Sequence, residues 1–158
     1  KPNVLRLEGE RVRFTDGSSE EVDVVVYATG YRIAFPFFDP ELLAAPDNEL
    51  PLYHRVVHPD LPGLYFIGLI QPLGATMPLA EAQAEWVGDL LDGTAALPAP
   101  GQMRRVTAEE REAVRRRYVD SPRHTMQVDF YPYLHTIATE RRRGRRRPAQ
   151  APGRISRR

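Results

Sequence analysis

A chain of 158 residues, 42% hydrophobic and 27% charged, fits one ordinary domain or a piece of a larger protein, and Lys1 opens in mid-pattern, so a piece is expected. It has no Cys, which excludes a disulfide framework, a thiol nucleophile and a Cys-based zinc site, and no apolar run approaches the roughly 18–20 residues of a membrane-spanning helix. The net charge of +1 conceals an asymmetry: residues 141–158 hold nine Arg and no acid, whereas the rest holds 13 Lys or Arg against 21 Asp or Glu.

Val4–Leu7 and Val12–Phe14 read as two short strands separated by Gly9. Asp16-Gly17 is a turn signal, because Gly accepts the positive φ that tight hairpin turns require. The chain then returns as Val22–Tyr27, whose centre, Val24-Val25-Val26, is apolar on both faces. Such a run suits a strand covered on both sides in a parallel sheet and points to α/β architecture. Asp39-Pro40-Glu41-Leu42-Leu43 reads as a helical turn with Asp at the N-cap and Pro first. Leu52–Val57 and Leu64–Ile67 read as further strands, the second ending in Gly68.

Pro78 opens an amphipathic helix whose Leu79, Ala82, Trp86, Val87, Leu90 and Leu91 share one face, and Gly93 stops it. Residues 94–101, rich in Ala, Pro and Gly, read as a linker. Thr107-Ala108-Glu109-Glu110 matches a capping box, which predicts a charged helix from Thr107 to about Tyr118. Asp129–Ala138 gathers Phe130, Tyr131, Tyr133, Leu134 and Ile137, and beyond Arg141 the composition predicts disorder.

Two strands end alike, one in Ala28-Thr29-Gly30 and one in Gly68. In open α/β sheets ligands sit outside the carboxyl ends of strands, where small residues make room. The loop GLIQPLGATMP, Gly68 to Pro78, joins such an end to a helix N-terminus, whose N–H groups suit a carbonyl-rich ring or a phosphate. Gln71 and Thr76 can hydrogen-bond a heterocycle, while Gly74 and Ala75 permit close approach. The same residues also describe a plain strand–helix connection capped by Thr76. Neither G-x-G-x-x-G nor G-x-x-x-x-G-K-[ST] occurs, so another segment must grip a dinucleotide pyrophosphate. His54 and His58 are four apart but lie in a strand-like stretch broken by Pro59, which makes a poor metal pair. His124 and His135 read as structural.

DVVVYATGY (Asp23–Tyr31), PGLYFIGLIQPLGATMPLAEAQAEW (Pro62–Trp86) and RHTMQVDFYPYL (Arg123–Leu134) occur in that order. Together they resemble the C-terminal part of the flavin-containing monooxygenase family. The resemblance covers residues 22–135 and leaves out the Arg-rich tail. It implies an α/β fold class: a partial Rossmann-like, FAD/NAD(P)-binding fold with two dinucleotide-binding domains, lacking its N-terminal βαβ unit and carrying C-terminal helices. Residues 1–31 would end the NADPH domain and cross over, 32–97 would complete the FAD domain, 98–140 would form a helical segment, and 141–158 a disordered tail. Ala28, Thr29, Gly30 and Tyr31 would lie near the cofactor junction, and Gly68, Gln71 and Thr76 along the flavin.

The cofactors implied are FAD and NADP(H). The reaction implied is oxygenation of a small-molecule amine nitrogen or sulfide by O2 through a C4a-hydroperoxyflavin, in the manner of an N,N-dimethylaniline monooxygenase. Chemistry of that kind resides in the flavin, so no acid–base pair is required of this segment, and none is evident. The family's glycine-rich loops would precede Lys1, so the chain alone is expected to be inactive. A Baeyer–Villiger or N-hydroxylating monooxygenase is the nearest alternative. From another class, a truncated non-catalytic module with a basic interaction tail also fits. The tail ERRRGRRRPAQAPGRISRR lacks interleaved aromatics, so nucleic acid is not the expected partner. The expectation for the full-length protein is cytoplasmic, without a membrane partner, and compatible with a homodimer.

Overall fold

Alternation sets the first thirty-one residues. Val12 and Phe14 are buried on one face of a strand whose Arg11 and Arg13 point away from it. The computed structural model describes residues 1–117 and 125–148 of the chain, which divides into two compact units, 1–31 and 32–158. In the first unit β1 (Val4–Glu8), β2 (Arg11–Phe14) and β3 (Ser19–Glu21) form an antiparallel meander in the order β1-β2-β3. The β1–β2 hairpin closes with Glu8 opposite Arg11, and Gly9 takes φ 59° in the turn between them. The second turn holds Gly17 at φ 84°, with Asp16 Oδ1 accepting the Ser18 amide at 2.9 Å and the Ser18 hydroxyl at 2.6 Å.

The expected strand Val22–Tyr27 does not form. Regular pairing ends at Glu21, followed by one bond from the Val22 amide to the Glu10 carbonyl, and Val24 and Val26 stand 76% and 82% exposed. A strand covered on both faces needs paired edges and packed layers, and the three short strands of this unit offer Val24–Val26 neither.

In the second unit α1 (Met77–Leu91) carries Pro78 in its first turn, buries Leu79, Gln83, Trp86 and Val87, and stops before Gly93 at φ 78°. Leu91, expected on the core face, is exposed. Helix α2 (Pro100–Arg117) starts seven residues before the expected capping box. The Ala99 carbonyl accepts the amides of Gln102 and Met103, so Pro100 occupies the first helical position. Thr107 is interior to α2, and its hydroxyl donates to the Met103 carbonyl one turn back at 2.9 Å. Nor is the Ala-Pro segment before α2 a solvated linker, since Ala95 and Ala96 are buried.

Helix α3 (Phe130–Gly144) follows Asp129 and runs past Arg141, where order was expected to end. Arg141 bonds Asp89 and Glu85, Arg145 bonds Asp89, and Arg147 bonds Glu140. Composition signals a solvated tail; specific acids on α1 and α3 hold its first part in place. Residues 149–158 lie outside the described residues. Between α2 and α3, β5 (Gln127–Val128) pairs in parallel with β4 (Gln71–Pro72).

The predicted strand Leu52–Val57 is instead a tight turn. His54 and Arg55 both take left-handed φ, 48° and 62°, and the Tyr53 amide donates to the Val57 carbonyl at 2.8 Å. Leu64–Ile67 reduces to one bridge, Tyr65 with Val57, plus a bond from the Phe66 amide to the Val56 carbonyl. Asp39 does cap a turn: its Oδ1 accepts the Glu41 amide, and its carbonyl accepts those of Leu42 and Leu43. The main core joins Val56, Val57, Leu79, Trp86, Met103, Tyr133 and Ile137, and a second joins Leu43, Leu50, Leu52 and Phe66.

Candidate functional site

Loop 67–77 is fixed at three points and bare between them. At its start Gly68 takes φ 79°, and its amide donates to Gln83 Oε1 on α1 at 2.7 Å. In the middle Ile70 is buried, and the Gln71 amide donates to the Met126 carbonyl at 2.8 Å as β4 pairs with β5. At its end Thr76 is the N-cap residue of α1, its carbonyl accepting the Leu79 and Ala80 amides, while its hydroxyl makes no capping bond. The capping role open to Thr76 in sequence is therefore filled by its backbone alone.

Between these points the loop presents apolar side chains to the outside. Ile67 is 50% exposed, Leu73 79% and Met77 77%. Gly74 takes φ 120°, and a Cβ placed on it, or on Gly68, meets nothing within 4 Å. The space above both glycines is thus open for a ligand face. The side chain of Gln71 is exposed, Thr76 is half-buried, and the first turn of α1 carries no acid. The loop offers no glycine-rich cradle for a pyrophosphate.

Gly68, Gln71 and Thr76 are therefore brought together on one loop. Ala28, Thr29, Gly30 and Tyr31 end the first unit as an exposed, irregular segment with Gly30 at φ 82°. A Cβ on Gly30 meets nothing within 4 Å, so its glycine serves backbone conformation rather than crowding.

One residue that anchors the loop was not expected from the sequence. Gln83 is fully buried, with its Oε1 on the Gly68 amide and its Nε2 donating to the Tyr133 hydroxyl at 2.5 Å. Tyr133 in turn donates to the His54 carbonyl at 2.7 Å. Burial holds the Tyr133 hydroxyl far above the ordinary phenol range, so it remains a donor. The available signal was a polar residue on the apolar face of α1, between Leu79 and Trp86. The Trp86 indole N–H is buried without a hydrogen-bond partner among the described residues.

The histidines do other work. His54 Nδ1 lies 2.6 Å from Glu110 Oε1, and His58 Nδ1 accepts the Asp60 amide at 3.2 Å, with burial lowering the His58 pKa. His135 contacts Thr139 one turn along α3, and His124 lies outside the described residues. Among the described residues no helix is long and apolar enough to cross a membrane.

Residues 1–143 match the family model described as flavin-binding monooxygenase-like. The chain is 42% identical over 141 residues to flavin-containing monooxygenase 5 of Rattus norvegicus, covering 87% of this chain and 26% of that protein. It is 38% identical over 143 residues to dimethylaniline monooxygenase [N-oxide-forming] 2 of the same species, covering 89% of this chain and 27% of that one. The structure of S-allyl-L-cysteine S-oxygenase from Allium sativum superposes with a TM-score of 0.70 at 28% identity, over 87% of this chain and 32% of the other. The chain thus spans about a quarter of the length of the curated relatives it matches. With nearly its whole described length matched in sequence, and a solved oxygenase matching its fold, the chain belongs to the flavin-binding monooxygenase-like family of oxidoreductases.

Proposed function

We propose that this chain supplies one wall of the flavin site in an NADPH- and O2-dependent monooxygenase that oxygenates amine nitrogen or sulfide sulfur. The observation that carries this reading is loop 67–77, with its open glycines, outward apolar side chains and fixed ends. Two relatives support the substrate class, one named for N-oxide formation and one for S-oxygenation.

In this reading FAD, when bound, supplies the redox chemistry and NADPH the reducing equivalents. Gly68, Gly74 and Ala75 admit the ring to backbone distance. Ile67, Leu73 and Met77 cover it from water, which strengthens every polar contact beneath them. Gln71 and Thr76 present an amide and a hydroxyl to its polar edge. Ala28, Thr29, Gly30 and Tyr31 form the crossing at the cofactor junction, where Gly30 lets the chain reverse. Residues 1–31 belong to the end of the NADPH domain, 32–97 to the FAD domain and 98–140 to the helical segment behind it.

The test is a chimera in which this chain replaces the matching 141 residues of the rat flavin-containing monooxygenase 5. The chimera should purify with flavin, and Gly74→Val should lower retained flavin about tenfold, since a branched side chain fills the approach and resists φ 120°. A folded Gly74→Val chimera with undiminished flavin would refute the assignment.

A further inference from the structure

A cavity-lining cation stands apart from loop 67–77. Arg55 is only 5% exposed, yet no hydrogen bond or ion pair joins its guanidinium to another described residue. It lines a cavity of about 210 Å³ among α2, α3 and the Tyr53–Val57 turn. The other charged groups around this cavity are engaged: Glu110 by His54 Nδ1 at 2.6 Å, and Asp129 by Arg117 Nη1 at 2.7 Å. Desolvation pulls the Arg55 pKa below the ordinary guanidinium value, while Glu110 and Glu49 act on its charge through space without a hydrogen bond.

The uncharged part of the wall is mostly apolar, with Ala113, Val114, Val128, Pro132 and the Tyr133 ring beside Gln127 and Thr136. A buried cation without a hydrogen-bond partner costs stability, and left-handed φ at both His54 and Arg55, rare for non-glycine residues, adds strain at the turn that places it. A protein that retains both costs at one point has a use for a guanidinium fork turned toward a cavity.

We propose that this cavity binds a small carboxylate with an apolar tail, its two oxygens on the Arg55 guanidinium and its tail against Val114, Val128 and Pro132. A planar guanidinium matches a carboxylate bidentately. Glu110 and Asp129 share the wall with Arg55 and Arg117, so a monoanion with an apolar tail suits the cavity better than a phosphate dianion, whose second charge would face these carboxylates. The volume suffices, since about 150 Å³ accommodates a benzene ring. None of the loop 67–77 residues takes part, so failure here leaves the flavin assignment standing.

The probe is benzoate, titrated into the 158-residue chain with benzamide and inorganic phosphate as comparators and followed by amide and methyl NMR shifts. Benzoate should saturate with shifts at Val114 and Val128, and benzamide should bind at least about tenfold more weakly, as expected on losing a charged hydrogen bond. Arg55→Met should weaken benzoate by a similar factor, with Arg55→Lys in between. Without ligand, Arg55→Met should melt no lower than the parent, and benzoate should raise the parent's midpoint alone. Equal affinity for benzamide, tighter binding of phosphate, or no saturable shift with benzoate would each overturn the proposal, and the first three comparisons need no variant.

Discussion

The Gly68 amide and the Gln83 carboxamide meet at 2.7 Å across fifteen residues, tying the start of loop 67–77 to the buried face of α1. Through Tyr133 and the His54 carbonyl the same carboxamide reaches α3 and the Tyr53–Val57 turn. Gln83→Leu keeps the bulk but strands the Gly68 donor, so it should cost about 1–3 kcal/mol in urea unfolding. Amide exchange at Gly68 should quicken more than at Gln71, whose amide is held by Met126. Unchanged exchange at Gly68 would show that the loop does not depend on Gln83.

Asp89 predicts an acid response. Its carboxylate accepts Arg141 Nε at 2.8 Å and Arg145 Nη2 at 3.0 Å, and the Arg141 hydrogen bond foremost lowers its pKa below the ordinary 3.8. A depressed folded pKa gives stability that is fully present above the unfolded value and lost as pH falls through the folded one. Asp89→Asn should therefore cost about 1 kcal/mol at pH 7, since the pair is only partly buried, and nothing at a pH below the folded pKa. Urea midpoints of parent and variant should converge on acidification below about pH 4.

How far the sequence discloses this arrangement depends on how far apart the cooperating residues lie. Leu79, Trp86 and Val87 recur at helical spacing between Pro78 and Gly93, so α1 is readable within its own fifteen residues. The same holds for the hairpin turns at Gly9 and Asp16-Gly17. Thr107-x-x-Glu110 matches a cap signature, yet the hydroxyl bonds Met103 and the carboxylate bonds His54, fifty-six residues away. Arg141 and Arg145 find Asp89 across a similar span, which composition read as tail could not register. Val24–Val26 fails oppositely: the run is apolar enough for a buried strand, but pairing is not a property of the run. In loop 67–77 the glycines and the polar pair Gln71 and Thr76 were legible, whereas Gln83, which fixes the loop, lay hidden in a helix face.

Glu140 is 2% exposed and receives both guanidinium nitrogens of Arg147, at 2.6 and 3.3 Å, while Arg147 also donates to the Ala96 carbonyl. Burial and then Glu140 hold the Tyr53 hydroxyl well above the phenol range, making it a further donor to the carboxylate. Arg147→Ala leaves a buried carboxylate without its cation and should cost about 3–5 kcal/mol. Glu140→Leu combined with Arg147→Leu should recover most of that loss in thermal or urea unfolding. A loss of less than about 1 kcal/mol on Arg147→Ala would place Arg147 in solvent.

Gly144 ends α3 where the chain crosses residues 95–96. A Cβ there would stand 3.1 Å from both the Ala95 Cβ and the Ala96 carbonyl oxygen, and the Ala96 amide already donates to the Gly144 carbonyl. The carbonyl oxygen is backbone and cannot rotate away. Gly144→Ala should therefore destabilise by about 1–3 kcal/mol despite its better helix propensity. A stabilised variant would mean that α3 can shift from Ala95 at no cost.

The last prediction concerns flavin retention by the 158-residue chain itself. Loop 67–77 offers a flat apolar approach and two polar side chains, but the sequence contains no G-x-G-x-x-G turn to hold a pyrophosphate. For a dinucleotide that turn supplies the charge-complementary grip, and a surface of three exposed side chains cannot replace it. Passed through gel filtration with excess FAD, the chain should elute without stoichiometric flavin absorbance, whereas the chimera with the rat enzyme should retain it. The Gly74→Val comparison then separates the loop's contribution from that of the phosphate grip. Stoichiometric flavin on the chain alone would assign the grip to residues within these 158 and move the search to the exposed Ala28–Tyr31 segment.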